Sequence, residues 1–238
     1  MKKIIIALFV LFGVAKANSQ VTFKPGVRAG VNFSHFTDGD YQGNSFFVDP
    51  NSNMAYRIPP TEYKSKTDFY VGIYGALKLT RFYTLQPEIT YSRQGSKIES
   101  YRQVNGVLAK NSVQIDLSYV SVALINKFTF NNRFSMFIGP TVDVLADQSG
   151  GFSEPYALNA VDPYYYYSND YIYDTDSDID LAFVFGLGVN LTKNLGLEAR
   201  IKKGIIPVLD WSGDNHTNVV FSAGLTYTFD VSGAGSTN

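Results

Sequence analysis

The sequence predicts an all-β chain, an eight-stranded antiparallel transmembrane β-barrel of up-and-down topology. Three observations predict it. Residues 180–191 read DLAFVFGLGVNL, where Leu181, Phe183, Phe185, Leu187, Val189 and Leu191 alternate with Asp180, Ala182, Val184, Gly186, Gly188 and Asn190. One face of such a strand meets an apolar medium, and the other meets a crowded interior that accepts small or polar groups. The pattern recurs eight times behind an export signal. The connections between its repeats alternate short and long.

The export signal comes first. Lys2 and Lys3 precede an apolar run from Ile4 to Val14 and then Ala15-Lys16-Ala17, so residues 1–17 read as a signal peptide and the mature chain as starting at Asn18. The run is too short for a membrane-spanning helix, and no later window approaches the roughly 20 apolar residues that one needs. With no cysteine, the chain has no lipobox, disulfide framework or thiolate site. Without the leader's three lysines, 17 basic residues face 21 acidic ones, a balance that argues against a nucleic-acid partner.

Strands are expected at residues 22–36, 67–81, 82–98, 113–130, 133–147, 178–192, 194–207 and 216–229. The first turns Val27, Ala29, Val31 and Phe33 outward and Arg28 and Asn32 inward. In the second, Phe69, Val71, Ile73, Leu77 and Leu79 face out, and Tyr70, Tyr74 and Lys78 face in. The third sends out Tyr83, Leu85, Ile89 and Tyr91 against Gln86, Glu88, Thr90 and Ser92 within. Val120, Val122, Leu124, Phe128 and Phe130 form the outer face of the fourth, opposite Tyr119, Ser121 and Lys127; Asn126 is the one amide in the outward register. Phe134, Met136, Ile138, Val142 and Val144 do the same for the fifth, with Asp143 inside. The sixth is the alternating segment DLAFVFGLGVNL. Leu195, Leu197, Ala199 and Ile201 oppose Glu198, Arg200 and Lys202 in the seventh. In the eighth, Val219, Phe221, Ala223, Leu225, Tyr227 and Phe229 oppose Ser222, Thr226 and Thr228. No outward residue is charged, as expected where a mid-bilayer charge costs roughly 2–4 kcal/mol.

Eight strands leave room for side chains but not for a water-filled channel. Inward charges must therefore pair, and the expected network is Lys78, Glu88, Lys127, Glu198 and Arg200, with Glu88 meeting Lys78 or Lys127 and Glu198 meeting Arg200 or a cation further round. Pro87 and Pro140 each remove a ladder donor and are expected to mark bulges. Tyr83, Phe130, Phe134, Tyr227 and Phe229 suit an inner aromatic belt, and Phe36, Phe69, Tyr91 and Trp211 an outer one.

Tight connections fall near Arg81-Phe82, Asn131-Asn132 and Lys193-Asn194; long ones occupy residues 37–66, 99–112, 148–177 and 208–215. The short turns belong in the periplasm and the long loops outside. The third long loop is the least ordinary. Between Arg133 and Lys193 there is no lysine or arginine, while acids accumulate beside Tyr164, Tyr165, Tyr166, Tyr167, Tyr171 and Tyr173. Tyrosines supply rigid amphipathic contact area, so this cluster is the candidate binding surface. Asp174, Asp176 and Asp178 form a weak candidate Ca²⁺ site, short of an EF-hand because Ile179 and Phe185 replace its glycine and glutamate. His35 and His216 fall at the same rim with Ser34, Asp38, Asp210 and Asp214 nearby in sequence, so a rim hydrolase can be imagined; no spacing motif supports it, and no catalytic or cofactor-binding residue is assigned.

Several segments carry a family resemblance: GVRAGVNFS, LQPEITYSRQG, YVSVALINKF, FIGPTVDVL, LAFVFGLGVNL, LEARIKKGI and FSAGLTYTF. In this order they resemble the PorT-like outer-membrane β-barrel family of Bacteroidota, similar in architecture to the eight-stranded barrels OmpX and OmpA. The resemblance covers about residues 20–229 and implies insertion into a Gram-negative outer membrane by the barrel assembly machinery, without enzymatic activity. One branch of the family is linked to protein secretion. The chain departs from the common barrel ending, since Phe229 is followed by the Gly/Ser-rich tail 230–238. The reading is thus a barrel over 18–229 with a structural or adhesive role through its outer loops, in contact with lipid and lipopolysaccharide. The alternatives are a lipid A-modifying hydrolase or acyltransferase using the rim histidines, or a component of a secretion complex.

Overall fold

The computed structural model describes residues 21–37, 46–48, 55–57, 61–104, 107–157, 163–168, 177–211 and 214–230. The expected signal peptide and the tail beyond Asp230 lie outside them. Eight long strands form the barrel: β1 (Thr22–Phe36), β2 (Glu62–Lys78), β3 (Tyr83–Val104), β4 (Val107–Phe130), β5 (Phe134–Ala157), β6 (Ile179–Asn190), β7 (Leu195–Gly204) and β8 (Asn218–Thr228). Each pairs antiparallel with its sequence neighbours, and β1 pairs with β8 from Gly26↔Thr228 to Phe36↔Asn218, which closes the ring. Closure removes the sheet edges that would otherwise recruit other chains.

The tight turns explain the hairpins at one end. Asn131 and Asn132 have φ of 51° and 55°, and the Arg133 N–H donates to the Phe130 carbonyl at 3.0 Å. Two successive positive φ values twist the turn in the sense its flanking strands require, and asparagine tolerates them better than most residues. At the other two tight turns, the Thr80 N–H donates to the Tyr83 carbonyl and the Leu191 N–H to the Leu195 carbonyl.

Sidedness is inverted relative to a soluble barrel. Ile73 and Phe183 are each 58% exposed, whereas Arg28 and Glu88 are 6% and 2% exposed. Exposed apolar side chains recur on every one of the eight strands, forming a continuous apolar band around the molecule. A surface of that extent is stable only against an apolar medium. Asn126 enters the band at little cost, because its amide accepts from the Tyr83 hydroxyl at 2.8 Å and donates to the Ile138 carbonyl at 3.2 Å.

Three expectations need correction. Residues 62–66, 99–104, 107–112 and 148–157 are strand rather than loop: β2 begins at Glu62, β3 and β4 stay paired as far as Val104↔Val107, and β5 follows β4 up to Ser112↔Ser153. Once the strands leave the apolar band, each continues to satisfy its neighbour's backbone groups, so pairing persists where no bilayer sorts the faces. The bulges are not at the prolines. Pro87 sits in unbroken register opposite Leu124, and the β4–β5 ladder skips Gly139 and Pro140 but resumes unshifted. Each backbone N–H points to one neighbour only, so a proline removes one ladder bond without changing register. Register shifts lie instead between Ser65 and Tyr70 and at Ser118/Tyr119. Finally, Phe36 belongs to the interior and not to the outer aromatic belt, since it shares the inward parity of Arg28 and Asn32 and is fully buried.

The interior is layered along the strands. Arg28, Asn32 and Phe36 follow one another at four-residue steps on β1, and they mark a charged layer, an amide layer and an apolar cap. In the amide layer Asn32 donates to Ser92 Oγ at 2.9 Å and Asn218 to Gln94 Oε1 at 2.5 Å. The cap comprises Phe36, Ile98, Ile115, Leu117, Tyr119 and Val208, with Tyr63 packed on it.

Candidate functional site

Two places could carry function, the lumen and the sheet beyond it. In the lumen, Glu88 on β3 meets Arg28 on β1, and it accepts two hydrogen bonds from Arg200 on β7, at 2.8 and 2.9 Å. Glu198 meets Arg28 at 2.6 Å and Arg200 at 2.9 Å. Two guanidinium groups and two carboxylates thus alternate in a neutral, buried square. Gln86 donates to Glu88 at 2.7 Å, and Tyr70 and Phe137 stack their rings on Arg28 and Arg200. Glycines make room: a Cβ on Gly224 would lie 2.1 Å from the Tyr70 hydroxyl, and one on Gly186 2.8 Å from Arg200 Cγ. The remaining space around this layer is only about 50 Å³, too little for a continuous path.

Of the five residues expected in the network, Glu88, Glu198 and Arg200 come together, and Lys78 and Lys127 do not. Both lysines lie in register with Thr84, four residues along β3 from Glu88 and about 13 Å away at strand rise. Lys127 instead has its ammonium 5.3 Å from the centre of the Phe137 ring. Arg28 replaces them. Its inward parity already placed it inside, but its partners are two strands away, beyond what hairpin adjacency suggests.

Beyond the apolar band, five strand segments form a sheet that continues from one side of the barrel. Residues 62–65 of β2 pair with 96–99 of β3, which pair with the start of β4; this pairs with the end of β5, and Pro163–Ser168 pairs with Phe152–Ala157 at the far side. Pro163–Ser168 is the last strand of this sheet, and its outer edge is open among the described residues. Tyr164, Tyr165, Tyr166 and Tyr167 lie along it, opposite Tyr156, Pro155, Glu154 and Ser153. Tyr171, Tyr173, Asp174 and Asp176 fall outside the described residues. Asp178 is exposed, and among the described residues no three acids or histidines group closely enough to hold a metal.

Ion pairs brace this sheet. Glu99 pairs with Lys64, with Lys110 at 2.8 Å and with Lys97 at 3.5 Å. Lys110 and then Lys64 hold its carboxyl down at about 2, and Glu99 in turn raises Lys64. A carboxyl held low stabilises the fold above its unfolded value, and that contribution is lost as pH falls through the folded one. The bracing is therefore expected to persist down to about pH 3 and to fail towards pH 2. The Glu99 carboxyl ¹³C shift followed against pH checks this; a midpoint in the ordinary glutamate range would contradict it.

The rim histidines do not form one site. His35 lies opposite Val219 in the outward register of β1, whereas His216 shares the inward parity of Asn218 and Val220 and is buried. The carbonyl of Thr37 can only accept, so His216 Nδ1 donates to it at 2.8 Å, and Nε2 shares a hydrogen bond with the Tyr63 hydroxyl at 3.1 Å. Ser34 is also committed, its Oγ accepting from the Gly95 N–H at 2.9 Å. Sheet parity separates the two rings that the rim-hydrolase reading requires together.

Residues 17–210 match the sequence profile of the outer membrane protein beta-barrel domain. The chain belongs to this family. No curated protein matches it. Among solved structures, the chain is similar to Ail, the attachment invasion locus protein of Yersinia pestis, at 12% identity over 87% of this chain and 98% of that one, with a TM-score of 0.42. It is similar to Neisserial surface protein A at 12% identity over 86% and 97%, with a TM-score of 0.44. The outer membrane protease OmpT from Escherichia coli matches at 14% identity over 90% and 100%, with a TM-score of 0.40. As a member of this family the protein is an outer-membrane β-barrel.

Proposed function

We propose that this outer-membrane barrel is an adhesive or binding protein whose outer sheet, and not its lumen, meets the ligand. The observation that carries the reading is the contrast between the two: a lumen closed by a neutral Arg/Glu square and an apolar cap, and a protruding sheet that ends in an open tyrosine-bearing edge. Open edges bind extended segments through backbone hydrogen bonds, and tyrosine side chains add contact area at small entropic cost. An extracellular protein is the ligand class that suits both. The chain is exported by residues 1–17, inserted by the barrel assembly machinery, and surrounded by lipid and lipopolysaccharide. The strand segments quoted above support a place in the PorT-like branch of Bacteroidota, and in that setting the same edge would serve a secretion-complex partner.

The test is adhesion of a non-adherent bacterial host that displays the protein on immobilised extracellular-matrix proteins. Serine at Tyr164, Tyr165, Tyr166 and Tyr167 is expected to lower adhesion about tenfold, as loss of aromatic hot spots does, with surface level unchanged. Equal adhesion by the two forms would refute the assignment.

A further inference from the structure

Among the described residues nothing fills the barrel at its tight-turn end, the end expected in the periplasm. Below the Arg/Glu square lies a cavity of about 820 Å³, within the range of small-molecule sites. Its charged lining is one-sided: Lys24, Lys78, Arg81, Lys127, Arg133 and Lys193 against the single acid Asp230. Lys24 pairs with Asp230, and Lys193 also acts on that carboxylate. Lys78, Arg81, Lys127 and Arg133 form no direct ion pair among the described residues, and Glu198 and Glu88 of the square act on Lys127 only from beyond contact. The basket is closed at depth, because Gln86 donates to Glu88 and Tyr74 bonds Thr228 Oγ1 at 2.6 Å across its inner end.

Cations gathered around a concave, low-dielectric wall repel one another and focus a positive potential into the cavity. A pocket that served only to pack the lumen would pair them, as the square above does. Lysines supply point charges, and the Arg81 and Arg133 guanidinium groups supply forked donors that match oxyanions. A monovalent anion would leave most of this charge uncompensated. We infer that the periplasmic vestibule binds a multivalent phosphate-bearing anion, with Lys127 at depth and Arg81 and Arg133 on the turns at the rim. Two sources share that chemistry, a soluble periplasmic phosphate compound and the headgroup of an anionic phospholipid in the adjoining leaflet.

The mature chain in phosphatidylcholine nanodiscs, titrated calorimetrically with inorganic tripolyphosphate at low ionic strength, tests the site. Binding near one per barrel is expected, weakened about tenfold in both R81Q/R133Q and K127Q, as loss of charge-assisted hydrogen bonds implies. Lys97→Gln, on the outer sheet, is expected to bind as the parent does. The rim pair stands on exposed turn residues, so its barrel remains intact, as heat-modifiable migration on gels would verify. If tripolyphosphate does not bind but phosphatidylglycerol co-purifies in excess with the parent and not with the two variants, the ligand is the lipid headgroup and the site stands. Neither kind of binding, or binding unchanged in the variants, would overturn it.

Discussion

Arg200→Ala is expected to destabilise the barrel by about 3–5 kcal/mol, the cost of leaving a buried charge without its partner. Arg200 is 6% exposed and bonds both Glu88 and Glu198; without it Arg28 alone faces two buried carboxylates. The compensated variant E88Q/R200M should recover most of the loss, because the Arg28–Glu198 pair at 2.6 Å remains and the layer is again neutral. Urea unfolding in micelles of the parent, E88Q, R200M and E88Q/R200M completes a double-mutant cycle that isolates the coupling. If R200A and E88Q/R200M prove equally unstable, the arginine acts through packing against Phe137 and not through charge.

Phe185→Arg carries the second large effect, about 2–4 kcal/mol of destabilisation in bilayers. Phe185 is 45% exposed and lies midway along β6, between Ile138 and Ile201 on the neighbouring strands. The same substitution at Phe134, beside the tight turns, should cost only about 0–1 kcal/mol, since arginine there reaches the interface. The sign matters as much as the size. On a water-exposed surface, arginine for an exposed phenylalanine would be neutral or favourable, so a depth-dependent penalty reports on lipid itself. Folding equilibria in liposomes for the two variants give the comparison.

Much of the fold was legible because the bilayer imposes a strict rule on alternate residues. Strand β1 matches its expected limits of 22–36, and the outward sets of β4, β6 and β8 reappear as exposed apolar side chains, apart from Phe128, Val189 and Val219, which are half-buried. Legibility ended where that rule ends. Above the apolar band, residues 99–104, 107–112 and 148–157 follow only their neighbours' hydrogen bonding, and their polar sequences resemble those of loops. The charged square was half legible: parity placed Arg28, Glu88, Glu198 and Arg200 inside, but matching them needs the relative heights of β1, β3 and β7, which are not adjacent. Parity alone would have placed Phe36 within and kept His35 and His216 on opposite faces. The tyrosine segment was visible as composition. Its pairing with β5 was not, because Ser153–Ala157 and Pro163–Ser168 show no shared alternation.

A closed barrel residing in the outer membrane should be heat-modifiable, and membrane fractionation followed by gel electrophoresis reads this out. Unboiled protein from the outer-membrane fraction should migrate faster on gel electrophoresis than boiled protein, because the ring of eight paired strands resists detergent until heated. A single band that does not shift on boiling, recovered from the soluble periplasm, would contradict it.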